Sequence, residues 1–152
     1  MELKEILKRI KSELLTLLKV KIEFRHIGSS ALGIEGKKDI DLEILVEPND
    51  FVFANKNMIS KYGLPKKEID KFWHKFETKI EEWDIDLFLS ISKHPITIRN
   101  KVFFQYLKNN LNARNEYLKI KKKSKLFSRE QYLKAKEEFL KKIVKKVLST
   151  KN

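Results

Sequence analysis

Apolar residues recur every three to four positions at the start of the chain. Leu3, Ile6, Leu7, Ile10, Leu14, Leu17 and Leu18 fall on one stripe and predict an amphipathic helix over residues 2–18. The period then changes to two. Ile22, Phe24 and His26 share one side of residues 21–27, which predicts a strand broken by Gly28-Ser29-Ser30. A short turn or helix with Gly33 and Gly36 fills residues 31–38. A second strand follows over residues 39–46, carrying Ile40, Leu42, Ile44 and Val46, and Pro48-Asn49-Asp50 closes it. Residues 50–62 read as a helix with Asp50 as N-cap and Phe51, Phe53, Ala54, Met58 and Ile59 inward; Gly63-Leu64-Pro65 ends it. Phe72, His74, Phe76, Thr78 and Ile80 alternate as a third strand, and residues 84–90 form a fourth. The remainder has helical spacing over 96–109, 111–123 and from Ser128 onward, where Ser128-Arg129-Glu130-Gln131 fits a capping box.

These elements predict an α/β (α+β) fold: a small mixed sheet of about four strands, an N-terminal helix and a C-terminal helical bundle. The best candidate boundary is His94-Pro95. It separates a core of residues 1–93 from C-terminal helices of residues 94–152, expected to pack on the core as one compact unit. No run of 18 apolar residues spans a membrane, and Met1-Glu2-Leu3-Lys4-Glu5 lacks a signal peptide's apolar stretch. With no cysteine, disulfides and thiolate metal sites are excluded. A soluble, cytoplasmic protein is the expectation.

Charge adds a partner. The net charge is +13, but residues 93–152 hold 18 basic and 4 acidic residues, against 16 and 17 in residues 1–92. The run Lys121-Lys122-Lys123 with Lys125 falls in the basic part. Lysine-rich composition alone would raise lysine everywhere, so the asymmetry points to a polyanionic partner, with RNA first among them.

One pattern resists a structural explanation. Asp fits a pleated, half-buried surface badly, yet Asp39 and Asp41 both stand at the head of the second strand. Alternation puts them on one face, about 7 Å apart. Acids at that spacing can share divalent cations, and the turn Gly28-Ser29-Ser30 offers backbone N–H groups and hydroxyls to the phosphates such cations accompany. Asp84 and Asp86 supply a further acid-bearing strand. Clustered carboxylates repel one another, which makes sense if cations neutralise them. Glu43 shares the Asp39/Asp41 face and reads as solvent-facing. His26 is placed either to touch phosphate or to be a half-buried structural residue. Trp73 and Trp83 read as packing residues before base-stacking ones.

Gly28-Ser29, nine intervening residues, then Asp39-Ile40-Asp41 resembles the signature of the DNA polymerase β-type nucleotidyltransferase superfamily. Within it, residues 26–46 closely resemble the motif of the GrpB-like family, His-hydrophobic-Gly-Ser-Thr-Ala-Val-Pro-Gly followed by Lys and an Asp-bearing strand. Phe103 to Lys108 resembles that family's Phe-Arg-Asp-Tyr-Leu-Arg. Tyr117 with Lys121, and Tyr132 with Lys136 and Phe139, resemble its Tyr-x-x-x-Lys pairs. The likeness covers residues 20–145. The chain departs from the family in lacking the proline between Leu32 and Gly33, in having Phe104-Gln105 for Arg-Asp, and in carrying more acids. Many members have an apolar residue at the position of Asp39, and His-x-His or neutral residues at Asp84-x-Asp86.

The resemblance implies a minimal nucleotidyltransferase core and a Mg²⁺- (or Mn²⁺-) dependent reaction. A nucleoside triphosphate (NTP) would donate NMP to a hydroxyl; RNA (tRNA included) as the acceptor rests on the charge asymmetry alone. It implies Asp39 and Asp41 as ligands of two cations and Asp86 as the third metal ligand, Asp84 sharing its face as the alternative. Gly28, Ser29 and Ser30 would hold phosphates, with His26, Lys121 and Lys136 as further nucleotide contacts. A catalytically inactive nucleotide- or RNA-binding module, or a protein-nucleotidylylating regulator, would carry the same scaffold.

Overall fold

The two periods build the elements they predict. The computed structural model describes residues 1–34, 36–123 and 126–150; Lys125 of the basic run lies outside them. Helix α1 is Leu3–Leu18. Strand β1 is Glu23–Ile27, α2 is a single turn at Gly28–Ala31, and β2 is Asp39–Leu45. A 3-10 turn at Pro48–Asp50 leads into α3, Phe51–Tyr62. Then come β3 (Lys67–Asp70), β4 (Trp73–Ile80), β5 (Trp83–Ser90), α4 (Pro95–Asn109), α5 (Leu111–Lys123) and α6 (Arg129–Thr150). The chain folds as two compact units, residues 1–97 and 98–152, the division falling in the first turn of α4.

In the first unit the strands run in the order β1-β2-β5-β4-β3. β2 and β5 are parallel; every other pair is antiparallel. Alternation gives the sheet two unlike faces. One carries Ile40, Leu42 and Ile44 of β2, Phe76 and Ile80 of β4, and Ile85, Leu87 and Leu89 of β5. It is covered by Ile6, Ile10, Leu14 and Leu18 of α1 and Phe51, Ala54 and Met58 of α3 in one buried cluster. A fully buried Leu, Ile or Phe contributes about 1.5–3 kcal/mol, so this face anchors the unit. The opposite face carries the charged positions.

Three local expectations change. Helix α2 starts at Gly28 itself, so the Gly-Ser turn is helical rather than only a break before residue 31. Asp50 does not cap α3 through its side chain: the 3-10 turn runs straight into the helix and leaves Asp50 in helical geometry. Phe53, expected inward, is half exposed; Phe51, Ala54 and Met58 are the buried residues of α3, and Ile59 and Tyr62 pack partly buried against the same cluster. The fifth strand, β3, has the sequence Lys-Glu-Ile-Asp and every residue exposed. Charged, short and at the edge, it suits a position that must not recruit another strand.

In the second unit Phe103 of α4, Tyr117 of α5 and Phe139 of α6 form an aromatic core, with ring centroids 5.6–6.0 Å apart. The capping box at the head of α6 is reciprocal: the Ser128 N–H donates to Gln131 Oε1 (3.1 Å), and the Gln131 N–H donates to Ser128 Oγ (3.2 Å).

Candidate functional site

The parallel pairing of β2 with β5 decides where the acids meet. Asp39 stands beside Asp84 and Asp41 beside Asp86 in register. Neighbouring strands lie about 4.8 Å apart, so two Asp-x-Asp tripeptides 45 positions apart in sequence form one patch on the face away from the core. Asp39 and Asp41 are partly buried, Asp86 is 34% exposed, and Asp84, at the rim, is 73% exposed. Burial pushes the Asp86 carboxyl above its ordinary range. Lys75 pulls it back, while Glu77 and Asp39 push it the same way as burial. Four carboxylates thus share one face, and a divalent cation would relieve their mutual repulsion.

Gly28 borders this patch. Strand β1 ends with Ile27 opposite Asp41, and the next residue turns with φ +80°. A Cβ at residue 28 would run into the Asp41 carboxylate, lying 3.1 Å even from its Cγ. Backbone and carboxylate approach as closely as they do because residue 28 is glycine. The carbonyls of Gly28, Ser29 and Ser30 accept amides further along, from Leu32, Gly33 and Ile34. In such a turn the carbonyls point forward and the N–H groups point back.

His26 is partly buried. Alternation puts it with Phe24 on the core face of β1, away from the acids. Its Nε2 is 2.8 Å from Ser30 Oγ, across the turn. Burial, aided by Lys11, lowers its pKa, so the ring is neutral near pH 7. His26 and Ser30 are thus brought to each other. That contact links β1 to the Gly-Ser turn. Lys121 and Lys136 belong to the second unit, where the Lys121 ammonium lies 5.7 Å from the centre of the Tyr117 ring.

Several residues of the acid face escape a linear reading. Glu43, expected in solvent, is 0% exposed. Arg25 stands opposite it on β1 with Nη2 2.8 Å from Oε1, and that guanidinium also donates to the Thr97 carbonyl at 3.3 Å. Ser90 and Thr97, both fully buried, share a 2.7 Å hydroxyl bond. On β4, Lys75 lies 3.6 Å from Asp86 and 3.6 Å from Glu77, and Lys79 lies 3.7 Å from Asp84. These lysines occupy the polar positions of an amphipathic strand and read as solvated until the strand order sets β4 beside β5. The tryptophans pack, as expected. Trp73 tilts against Phe88 at 5.6 Å, and Trp83 Nε1 donates to the Met1 carbonyl at 3.0 Å.

The donor set is all oxygen, which suits Mg²⁺ or Mn²⁺. The close approach of the Gly28 backbone to the Asp41 carboxylate leaves room beside it for such an ion. Among the described residues no three Asp, Glu or His side chains converge to hold an ion by themselves. A cation here would take its further ligands from water or from a bound phosphate. Among the described residues, too, no helix is long and apolar enough to cross a membrane.

Comparison with known proteins bears on the family and the fold. A search of curated proteins gives no significant match. A solved structure, that of the GrpB protein from Enterococcus faecalis, superposes with a TM-score of 0.74 at 20% identity, covering 96% of this chain and 92% of that one. At that identity the likeness speaks for the fold. The model of the family described as GrpB protein matches residues 2–146. The chain belongs to the GrpB family, and with it to the nucleotidyltransferase-like superfamily.

Proposed function

We propose that the protein transfers NMP from an NTP to a hydroxyl acceptor, releasing pyrophosphate, and that RNA is the acceptor. The observation that carries this reading is the register of β2 on β5, which sets Asp39 and Asp41 beside Asp84 and Asp86, with the Gly28 backbone against the Asp41 carboxylate.

Asp39, Asp41 and Asp86 would hold Mg²⁺ or Mn²⁺; the ions, when bound, neutralise the triphosphate and the developing charge on its α-phosphate. The chain's own residues then position. Gly28 and Ser29 present a side-chain-poor turn to the β- and γ-phosphates. His26 holds that turn through Ser30. Arg25 and Glu43 brace β1 against β2, which keeps Gly28 in place beside Asp41. The attacking oxygen forms a bond to the α-phosphorus as the bond to the bridging oxygen breaks. The hydroxyl proton leaves to a carboxylate near that oxygen, the role the third acid, Asp86, would fill. Most of the acceleration comes from alignment and charge neutralisation.

RNA as acceptor rests on the basic excess of residues 93–152. The test is to incubate the protein with each α-labelled NTP, Mg²⁺, total RNA and cell lysate. Label in RNA, lost in Asp41→Asn, supports the reading. Label in protein moves the acceptor to a protein hydroxyl. NTP binding without labelling of any macromolecule supports the inactive binding module instead.

A further inference from the structure

The lysines of β4 are not equivalent. Lys79 meets Asp84 at the exposed rim. Lys75 is only 26% exposed and stands between two carboxylates, 3.6 Å from Asp86 Oδ2 and 3.6 Å from Glu77 Oε1. Glu77 itself lies opposite Asp86 in register. One carboxylate cannot give the same lone pairs fully to an ammonium group and a divalent cation. A lysine placed this way therefore contends with any cation that uses Asp86.

We propose that Lys75 is a positioning residue of the site described above, an internal counter-cation that competes with a divalent cation for Asp86. The proposal rests on the reading of that site as a cation-dependent nucleotidyltransferase centre. It explains two features together. The acid patch tolerates its own repulsion because Lys75 partly neutralises it. Displacement of Lys75 also strands no charge, since Glu77 on the same strand is already within reach of the ammonium. The consequence is a site with little affinity for a cation alone, which fills when a triphosphate adds its own ligands. Neither Lys75 nor Glu77 needs to touch the substrate.

The test is a Mn²⁺ titration of the full chain without nucleotide, with free Mn²⁺ followed by electron paramagnetic resonance. Partly exposed ion pairs are weak, so Lys75→Met should bind Mn²⁺ about two- to fivefold more tightly than the parent chain. Lys75→Gln should show the same gain, and both should keep the parent near-ultraviolet circular dichroism. Lys79→Met, removing an equal charge at the rim, should change affinity by less than about 1.5-fold. In an Asp86→Asn background, Lys75→Met should give no gain, because the competition runs through Asp86. Unchanged or weaker binding in Lys75→Met overturns the proposal, and so does a gain that survives in Asp86→Asn. A separate titration with a non-hydrolysable NTP distinguishes the two levels. If Asp41→Asn binds Mn²⁺ and nucleotide as the parent does, the nucleotidyltransferase reading fails. If the Asp41 linkage holds while the Lys75 cycle shows no coupling, the Lys75 inference alone fails.

Discussion

Gly28 is fixed by two constraints that act independently. Its φ of +80° disfavours any side chain, and a methyl group there would meet the Asp41 carboxylate. Gly28→Ala should therefore cost about 1–3 kcal/mol in urea unfolding. Adding Asp41→Ala should restore part of the loss, since it removes the collision but not the backbone strain. A Gly28→Ala chain as stable as the parent would contradict the contact. His26 makes a pH prediction. Its pKa lies below the ordinary 6.5 in the folded chain, so the unfolded chain takes up that proton first. Stability should fall as pH drops below 6.5 and level off below the folded value. His26→Gln should remove that component. A His26 ring that titrates above 6.5 by nuclear magnetic resonance would contradict it. At this scale the sequence was informative wherever chemistry and spacing coincide. The glycine and both acid pairs stand out because aspartate in a strand is anomalous. Glu43 did not stand out, because it continues the Asp39–Asp41 alternation. Its distinguishing feature is Arg25, which register alone supplies.

Strands β1 and β2 are tied by that buried pair. Removing one partner strands a charge, so Arg25→Ala should destabilise by about 3 kcal/mol. Arg25→Met with Glu43→Leu should recover most of it, since apolar replacements of similar volume leave nothing uncompensated. Calorimetric melting of Arg25→Met, Glu43→Leu and their double mutant checks this, and strict additivity would argue that the pair does not act as a unit. Most elements could be read from period alone: α1 from its stripe, β4 and β5 from alternation, α6 from its capping box. β3 was missed because four exposed residues with one apolar side chain carry no period to detect. The onset of α2 was misplaced because glycine and serine signal a break, and nothing local says that the break is helical. Lys75 and Glu77 were missed for a different reason. Their meaning comes from strand order, with β4 lying next to β5 on the acid side.

Taken as a whole, the chain divides its charge as it divides its sequence: the acids that matter lie in the first unit, and the basic excess lies mainly in the second. If RNA is bound through that excess, the logarithm of affinity should fall with the logarithm of salt by about 0.7 per phosphate neutralised on a single strand. Reversing the charges of Lys121, Lys122 and Lys123 should flatten the slope. An RNA affinity indifferent to salt would exclude this surface. The central claim is narrower than any acceptor: the acid patch and a triphosphate bind divalent cations together. Calorimetric titration of NTP with and without Mg²⁺, into the parent chain and into Asp41→Asn, tests it most directly. Markedly tighter NTP binding with Mg²⁺ is expected in the parent, with loss of that gain in an Asp41→Asn chain whose melting temperature is unchanged or raised. Equal NTP affinity with and without Mg²⁺, or an undiminished Mg²⁺ effect in Asp41→Asn, would contradict it.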